Sequence, residues 1–196
     1  MKRVFAILAV ASGLMTAGVH AQDQAQPQAR SQVLQDENLM TPLPKGFKIG
    51  ATGPTPTGAM TEYIPEAETV GDWSRMVTTM VMHIPPQPDE FSAGLAQSIK
   101  GGCPDIEAVK SMDGTENGYA FSLWLFQCPL NPQTGKPEGF VMKAVRGQDA
   151  LYVVQYAYRE MMTTEQTTQA VLYLRQVNVC DTRTAEHPCP AGMPTK

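Results

Sequence analysis

Residues 118–158 read GYAFSLWLFQCPLNPQTGKPEGFVMKAVRGQDALYVVQYAY. Three runs within it, 118–128, 140–146 and 150–158, carry aromatic and β-branched residues and no proline. Such side chains suit a pleated, half-buried surface. The runs are separated by 131–137 and by Gly147-Gln148-Asp149, both built from turn formers. Strands joined this closely pair antiparallel, since a parallel partner needs a crossover of a dozen or more residues. The segment therefore predicts an antiparallel meander and argues against a doubly wound nucleotide-binding sheet.

Toward the N-terminus, 106–112 predicts another strand, joined to 118–128 around Asp113-Gly114, a hairpin dipeptide. Pro85-Pro86-Gln87-Pro88 forbids a strand and presets a helix start. Phe91, Leu95 and Ile99 then recur every four residues, the apolar stripe of a helix that Gly101-Gly102 ends. Residues 73–83, rich in Val, Thr and Met, predict a long strand. Residues 47–50 and 59–64 predict a first strand and its return, with 53–58 as a loop because Gly53, Pro54, Pro56 and Gly58 interrupt ladders.

Toward the C-terminus, Thr163-Thr164-Glu165-Gln166 matches a capping box. The helix it opens places Ala170, Val171, Leu174 and Val177 on one side, and a Pro-punctuated tail follows Val179. The expected fold is α+β: a mostly antiparallel sheet of about six or seven strands packed by two helices. The expected organisation is one domain over 41–179, a Gln-rich flexible segment over 22–40 and a C-terminal tail over 180–196.

The 196 residues are 42% apolar, enough to bury a core, and only 17% charged. A formal charge of −4 supplies no phosphate-neutralising excess, so nucleic acid is not an expected partner. At the N-terminus, Lys2 and Arg3 precede an apolar run over 4–14, and Val19-His20-Ala21 ends in a small residue. This is the pattern of a secretory signal peptide over 1–21 cleaved after Ala21, and the run is too short to span a bilayer. Removing it leaves 13 basic residues against 19 acidic ones, a net charge of −6. The expected location is the periplasm or the exterior, with no membrane span.

An even cysteine count in an exported chain points to disulfides. Of three connectivities, Cys103–Cys128 and Cys180–Cys189 is preferred, because each pair ties the end of one element to a neighbour or closes a short loop. The rival reading gathers Cys180, Asp181, His187 and Cys189 as zinc ligands, at a spacing that fits no familiar zinc module. A second constellation is Met76, Met80, Met82 and His83. On a strand the three methionines share a face. Thioethers near an imidazole suit Cu(I), while methionine also fills cores, and core packing is the preferred reading. Trp73, opening the long strand after a polar loop, is expected to be buried and structural.

Catalytic material is sparse. The chain contains no H-E-x-x-H, G-x-S-x-G or Walker A motif. Glu62, Glu66, Glu68 and Asp72 read as a solvated connection, and 113–117 as a turn with too few carboxylates for calcium. No cofactor is implied.

Gly46-Phe47-Lys48-Ile49-Gly50, Glu62-Tyr63-Ile64-Pro65-Glu66, Glu68-Thr69-Val70, Trp73-Ser74-Arg75-Met76-Val77-Thr78, Tyr152-Val153-Val154-Gln155-Tyr156 and Val179-Cys180-Asp181-Thr182-Arg183 together resemble a family of uncharacterised exported proteobacterial proteins. The pattern of strands also resembles the PsbP-like α/β/α sandwich, used by extrinsic and adaptor proteins. The resemblance implies a fold and assigns no activity. The expected function is a non-catalytic periplasmic binding or adaptor domain whose partner is an envelope protein or a small ligand. The alternative is a copper- or zinc-handling protein or an envelope enzyme with an unrecognised site.

Overall fold

The computed structural model describes residues 35–83 and 86–191. The expected signal peptide and residues 22–34 lie outside these. The elements are β1 (Glu37–Met40), β2 (Phe47–Thr55), β3 (Gly58–Pro65), β4 (Arg75–Met82), α1 (Pro88–Lys100), β5 (Glu107–Glu116), β6 (Tyr119–Asn131), β7 (Lys136–Arg146), β8 (Leu151–Tyr158), α2 (Thr164–Leu174) and β9 (Asn178–Asp181). Strands β2 to β8 form one antiparallel sheet in the order β2-β3-β4-β8-β7-β6-β5, and β1 pairs with β9 in a separate ribbon. The fold is α+β, as the hairpin-and-helix order predicts.

The chain lays down β2-β3-β4, crosses the sheet through α1 to the far edge, and returns by β5-β6-β7-β8 until β8 meets β4. Successive side chains of a strand point to opposite faces, so each strand feeds two cores. On one face α1 packs on β6 and β7, and Phe91, Leu95, Ala96 and Ile99 meet a core that includes Phe126, Phe140, Met142, Leu151 and Val153. On the other, α2 packs on β7 and β8 through Ala170 and Leu174 against Val77, Val141, Val154 and Tyr156. Fully burying one such aliphatic side chain contributes about 1.5–3 kcal/mol, so the central strands carry most of the core energy.

Local chemistry sets both helix starts. Pro88 occupies the first turn of α1, with Asp89 and Glu90 beside it, and the Glu90 carboxylate accepts from the Gln87 N–H at 3.2 Å. In α2 the Thr163 hydroxyl accepts from the Gln166 N–H at 3.2 Å, and the Gln166 side-chain oxygen accepts from the Thr163 N–H at 2.9 Å. These are the two reciprocal bonds of a capping box. The start of α2 is also anchored to the sheet. The Gln127 amide accepts from the Met162 N–H at 2.7 Å and donates to the Met162 carbonyl at 3.2 Å. Gly139 leaves room for this, since a Cβ there would stand 2.7 Å from the Gln127 oxygen and 2.8 Å from Met162.

Three expectations are corrected. Gly53 and Pro54 belong to β2, and the turn to β3 is only Pro56-Thr57. β2 is an edge strand, so no outer neighbour needs the N–H that Pro54 lacks. The β5–β6 turn is Asn117-Gly118, not Asp113-Gly114: Asn117 and Gly118 have φ of 47° and 80°, the left-handed pair a two-residue hairpin requires. Finally, Glu37–Met40 is β1 rather than flexible chain, and the expected tail begins inside β9, with Cys180, Asp181 and His187 buried. β9 ends at Asp181, and its pairing with β1 shields Val179 and Cys180, both without exposed surface.

Candidate functional site

α1 ends at Lys100, and the chain turns through Gly101-Gly102 so that both the Gly102 and the Cys103 N–H donate to the Ile99 carbonyl, at 2.9 and 2.8 Å. Cys103 thereby faces Cys128 on β6. Their sulfurs are 2.05 Å apart and their Cα atoms 6.1 Å apart, within disulfide geometry. The cross-link ties the chain just after α1 to β6, and a cleft of about 310 Å³ lies between the helix end and the β6–β7 hairpin. Pocket volumes of this size suit a small ligand or a side chain.

Phe126 and Phe140, direct partners across β6 and β7, form the inner wall with ring centroids 4.6 Å apart. Ile99 and Ile106 form the helix side, and the disulfide itself lines the cleft. The rim is polar. Glu138 is half-buried there and its carboxylate accepts from the Asn131 side-chain N–H at 3.0 Å. The carbonyl end of α1 adds partial negative charge on the opposite side. An apolar slot rimmed by a carboxylate and a helix C-terminus favours a ligand with an apolar body and a cationic or hydrogen-donating head. Cations over or beside aromatic rings gain further.

The second cysteine pair, Cys180 and Cys189, has sulfurs 2.00 Å apart and Cα atoms 4.8 Å apart. The other residues of the zinc reading are engaged elsewhere. His187 stacks on Tyr119 with centroids 4.0 Å apart, and its Nδ1 is 2.8 Å from the Asn117 carbonyl oxygen. Asp181 accepts from Arg183 Nε at 2.9 Å and Nη2 at 2.7 Å, and the same guanidinium donates to Asp149 at 2.7 Å. The Arg183 hydrogen bonds hold the Asp181 carboxyl below the usual carboxylate range, and Asp181 and Asp149 push the guanidinium higher still. Among the described residues, no group of three or more His, Cys, Asp or Glu side chains gathers as a metal-binding set. Burial raises the Tyr119, Tyr152 and Tyr173 hydroxyls above their ordinary value and pushes Tyr158 up to about 12.

The methionine constellation separates. Met76 is buried in the α1-side core, while Met80 and Met82 lie half-buried on the same face. His83 stands beyond the end of β4, exposed, with its backbone N–H donating to the Thr57 carbonyl at 2.8 Å. Trp73 is 7% exposed, with the Arg159 guanidinium 4.2 Å above its ring, as an amphipathic ring between core and water requires. Sequence reasoning missed Phe126, Phe140, Asn131 and Glu138 as neighbours. The available signal was the Cys103–Cys128 pairing, which places the hairpin beside the end of α1.

No protein-family model matches the chain, and no curated protein does. Among solved structures, it is similar to a point mutant of the protein Mog1, at 15% identity over 74% of this chain and 92% of that one, with a TM-score of 0.46. It is also similar to the Saccharomyces cerevisiae Ran-binding protein Mog1p, at 14% identity over 72% of this chain and 85% of that one, with a TM-score of 0.43. A third is the cyanobacterial PsbP of Synechocystis sp. PCC 6803, at 7% identity over 74% of this chain and 94% of that one, with a TM-score of 0.42.

Proposed function

We propose that this chain is an exported binding domain that uses the cleft beside Cys103–Cys128 to hold a small ligand, or one side chain of an envelope partner, with an apolar body and a positively charged or hydrogen-donating head. The observation that carries this reading is the cleft itself: an aromatic wall, a disulfide edge and a rim carrying one hydrogen-bonded carboxylate. Among the described residues, Glu138 is the single titratable side chain lining it. Acid–base hydrolysis of the two-carboxylate kind needs a second group, so the lining supports capture over chemistry. Export is supported by the N-terminal pattern over 1–21 and by the two cysteine pairs at bonding distance. Among the described residues, no helix is long and apolar enough to cross a membrane.

Ligand-observed NMR with a panel of aryl- and alkyl-ammonium fragments tests the site, with Gly102→Phe as the plug. A Cβ at Gly102 would meet only ordinary contacts, the nearest at 3.7 Å, so the ring can enter the cleft without backbone strain. Saturation transfer to ammonium fragments is expected for the parent protein and is expected to vanish in Gly102→Phe. Transfer that survives the plug, or equal transfer to carboxylate analogues, refutes the assignment. Mass spectrometry of the secreted or envelope fraction is expected to find an N-terminus at Gln22.

A further inference from the structure

We propose that the α1-side face of the β3–β4 hairpin is a soft-metal site of the Cu(I) class, formed by the thioethers of Met60, Met80 and Met82. It is independent of the cleft. The β3–β4 register sets Met60 directly opposite Met80, and Gly58 opposite Met82. Residues directly opposed across an antiparallel pair have Cβ atoms about 4.5–5.5 Å apart. Met82 follows Met80 by two residues on the same face, a step of about 7 Å. Three long, unbranched side chains with free torsions therefore start close enough for their sulfurs to meet on one ion.

The surroundings separate these three methionines from the rest. Met76 and Met142 on the same face are buried, with 6% and 0% exposure, and serve the core. Met80 and Met82 pack at the edge of that same core but, like Met60, are only half-buried and so reachable. On the edge strand, the residue opposite Met60 is Gly53, and nothing stands within 4 Å of where its Cβ would be. That open space sits beside the Met60 side chain. One row along the hairpin, opposite Thr78, Glu62 is half-buried, and among the described residues no hydrogen bond or ion pair engages its carboxylate. It supplies a compensating negative charge next to the site. Arg146 lies in the row of Met82 but two strands away, beyond Leu151.

Uncharged sulfur ligands select the metal. Thioethers suit Cu(I), whereas Zn(II) prefers thiolate and imidazole and Ca(II) prefers oxygen. Thioethers carry no proton to displace, so binding through them does not weaken as pH falls toward 5, unlike binding through histidine or cysteine. The imidazole of His83, outside the strand face, is not a ligand.

The test is titration of the oxidised, mature protein with Cu(I) against a chromogenic Cu(I) chelator, with NMR of 13C-methyl-labelled methionine. The expected result is one equivalent bound, with shifts confined to the methyls of Met60, Met80 and Met82. Affinity should fall at least tenfold in Met60→Leu or Met80→Leu and stay unchanged in Met76→Leu and His83→Ala. It should hold between pH 7 and pH 5. Methionine-to-leucine exchanges nearly conserve volume, so the variants remain folded, as their NMR spectra will report. Failure to compete with the chelator overturns the proposal. So do shifts centred on the exposed Met112 or Met161, or loss of binding at pH 5 or in His83→Ala.

Discussion

Lys143 is a lysine in the core of a sheet, 3% exposed on β7, and replacing it with methionine tests how α2 is terminated. Its ammonium donates to the Val177 carbonyl at 2.7 Å and to the Leu174 carbonyl at 3.3 Å, and it is ion-paired with Glu116. The Phe121 ring lies 5.2 Å away. The charge thus sits at the carbonyl end of α2, where a cation is favoured. Lys143→Met keeps an unbranched stem and removes the donor. Leu174 retains a second partner, since the Val177 N–H donates to its carbonyl at 3.2 Å, so the Val177 carbonyl is the acceptor left without one. A buried orphan acceptor costs about 1–3 kcal/mol, and severing a buried ion pair about 3–5 kcal/mol. Glu116 keeps 36% of its side chain exposed, so water recovers part of the second term, and the apolar stem gains a little on burial. The net expectation is a loss of about 2–4 kcal/mol, read as a lower urea midpoint at unchanged slope. Hydrogen exchange should show the last turn of α2 opening first. Glu116→Gln leaves the buried ammonium with its two carbonyls but without its counter-charge, so it should also destabilise, while the last turn of α2 keeps its protection against exchange. A loss below about 1 kcal/mol in Lys143→Met, or early opening of that turn in Glu116→Gln as well, refutes this account of the helix end.

Trp73→Ala should cost about 3–5 kcal/mol in urea unfolding, since the ring is buried under Arg159, and a cost under 1 kcal/mol would place the ring in a binding role instead. Closing loops of 25 and 9 residues, the two disulfides should contribute about 3.5 and about 2.6 kcal/mol by chain entropy, and non-reducing peptide mapping should link Cys103 to Cys128 and Cys180 to Cys189; a peptide joining Cys103 to Cys180 overturns the pairing. Acid should destabilise the fold through Asp181: its carboxyl titrates lower when folded than unfolded, so its contribution is complete above about pH 4 and is lost as pH falls through the folded value. In Arg183→Met that dependence should flatten, and an identical acid slope in both proteins would exclude the pair. At the alkaline end Tyr158 holds its proton to about pH 12 when folded, so its contribution to stability should decline as pH rises above about 10, read as a falling urea midpoint.

Features governed by a few adjacent residues were legible in the sequence. The β-branched and aromatic runs in 140–146 and 150–158, the four-residue spacing of Phe91, Leu95 and Ile99, and the box at Thr163 to Gln166 act over single turns or strands, and each element formed where they indicate. Trp73 read correctly for the same reason: a large ring at the border of polar and apolar chain has few places to go. Where two local signals competed, the winner depended on more than the dipeptide. Asp113-Gly114 and Asn117-Gly118 are both hairpin turns on paper, but only the latter sets Gly114 and Met112 of β5 opposite Phe121 and Leu123 of β6. Long-range closure was invisible. Nothing local tells β4 to accept β8, or Glu37 to reach the N–H groups of Gln148 and Asp149 at 2.7 and 3.0 Å and so dock the β1–β9 ribbon. The cleft and the Met60–Met80 pairing are of this kind, joining residues that share no stretch of chain. Which neighbours meet across a sheet is decided by which whole set of strands buries its apolar faces together, a property of the assembled core rather than of any window in the sequence.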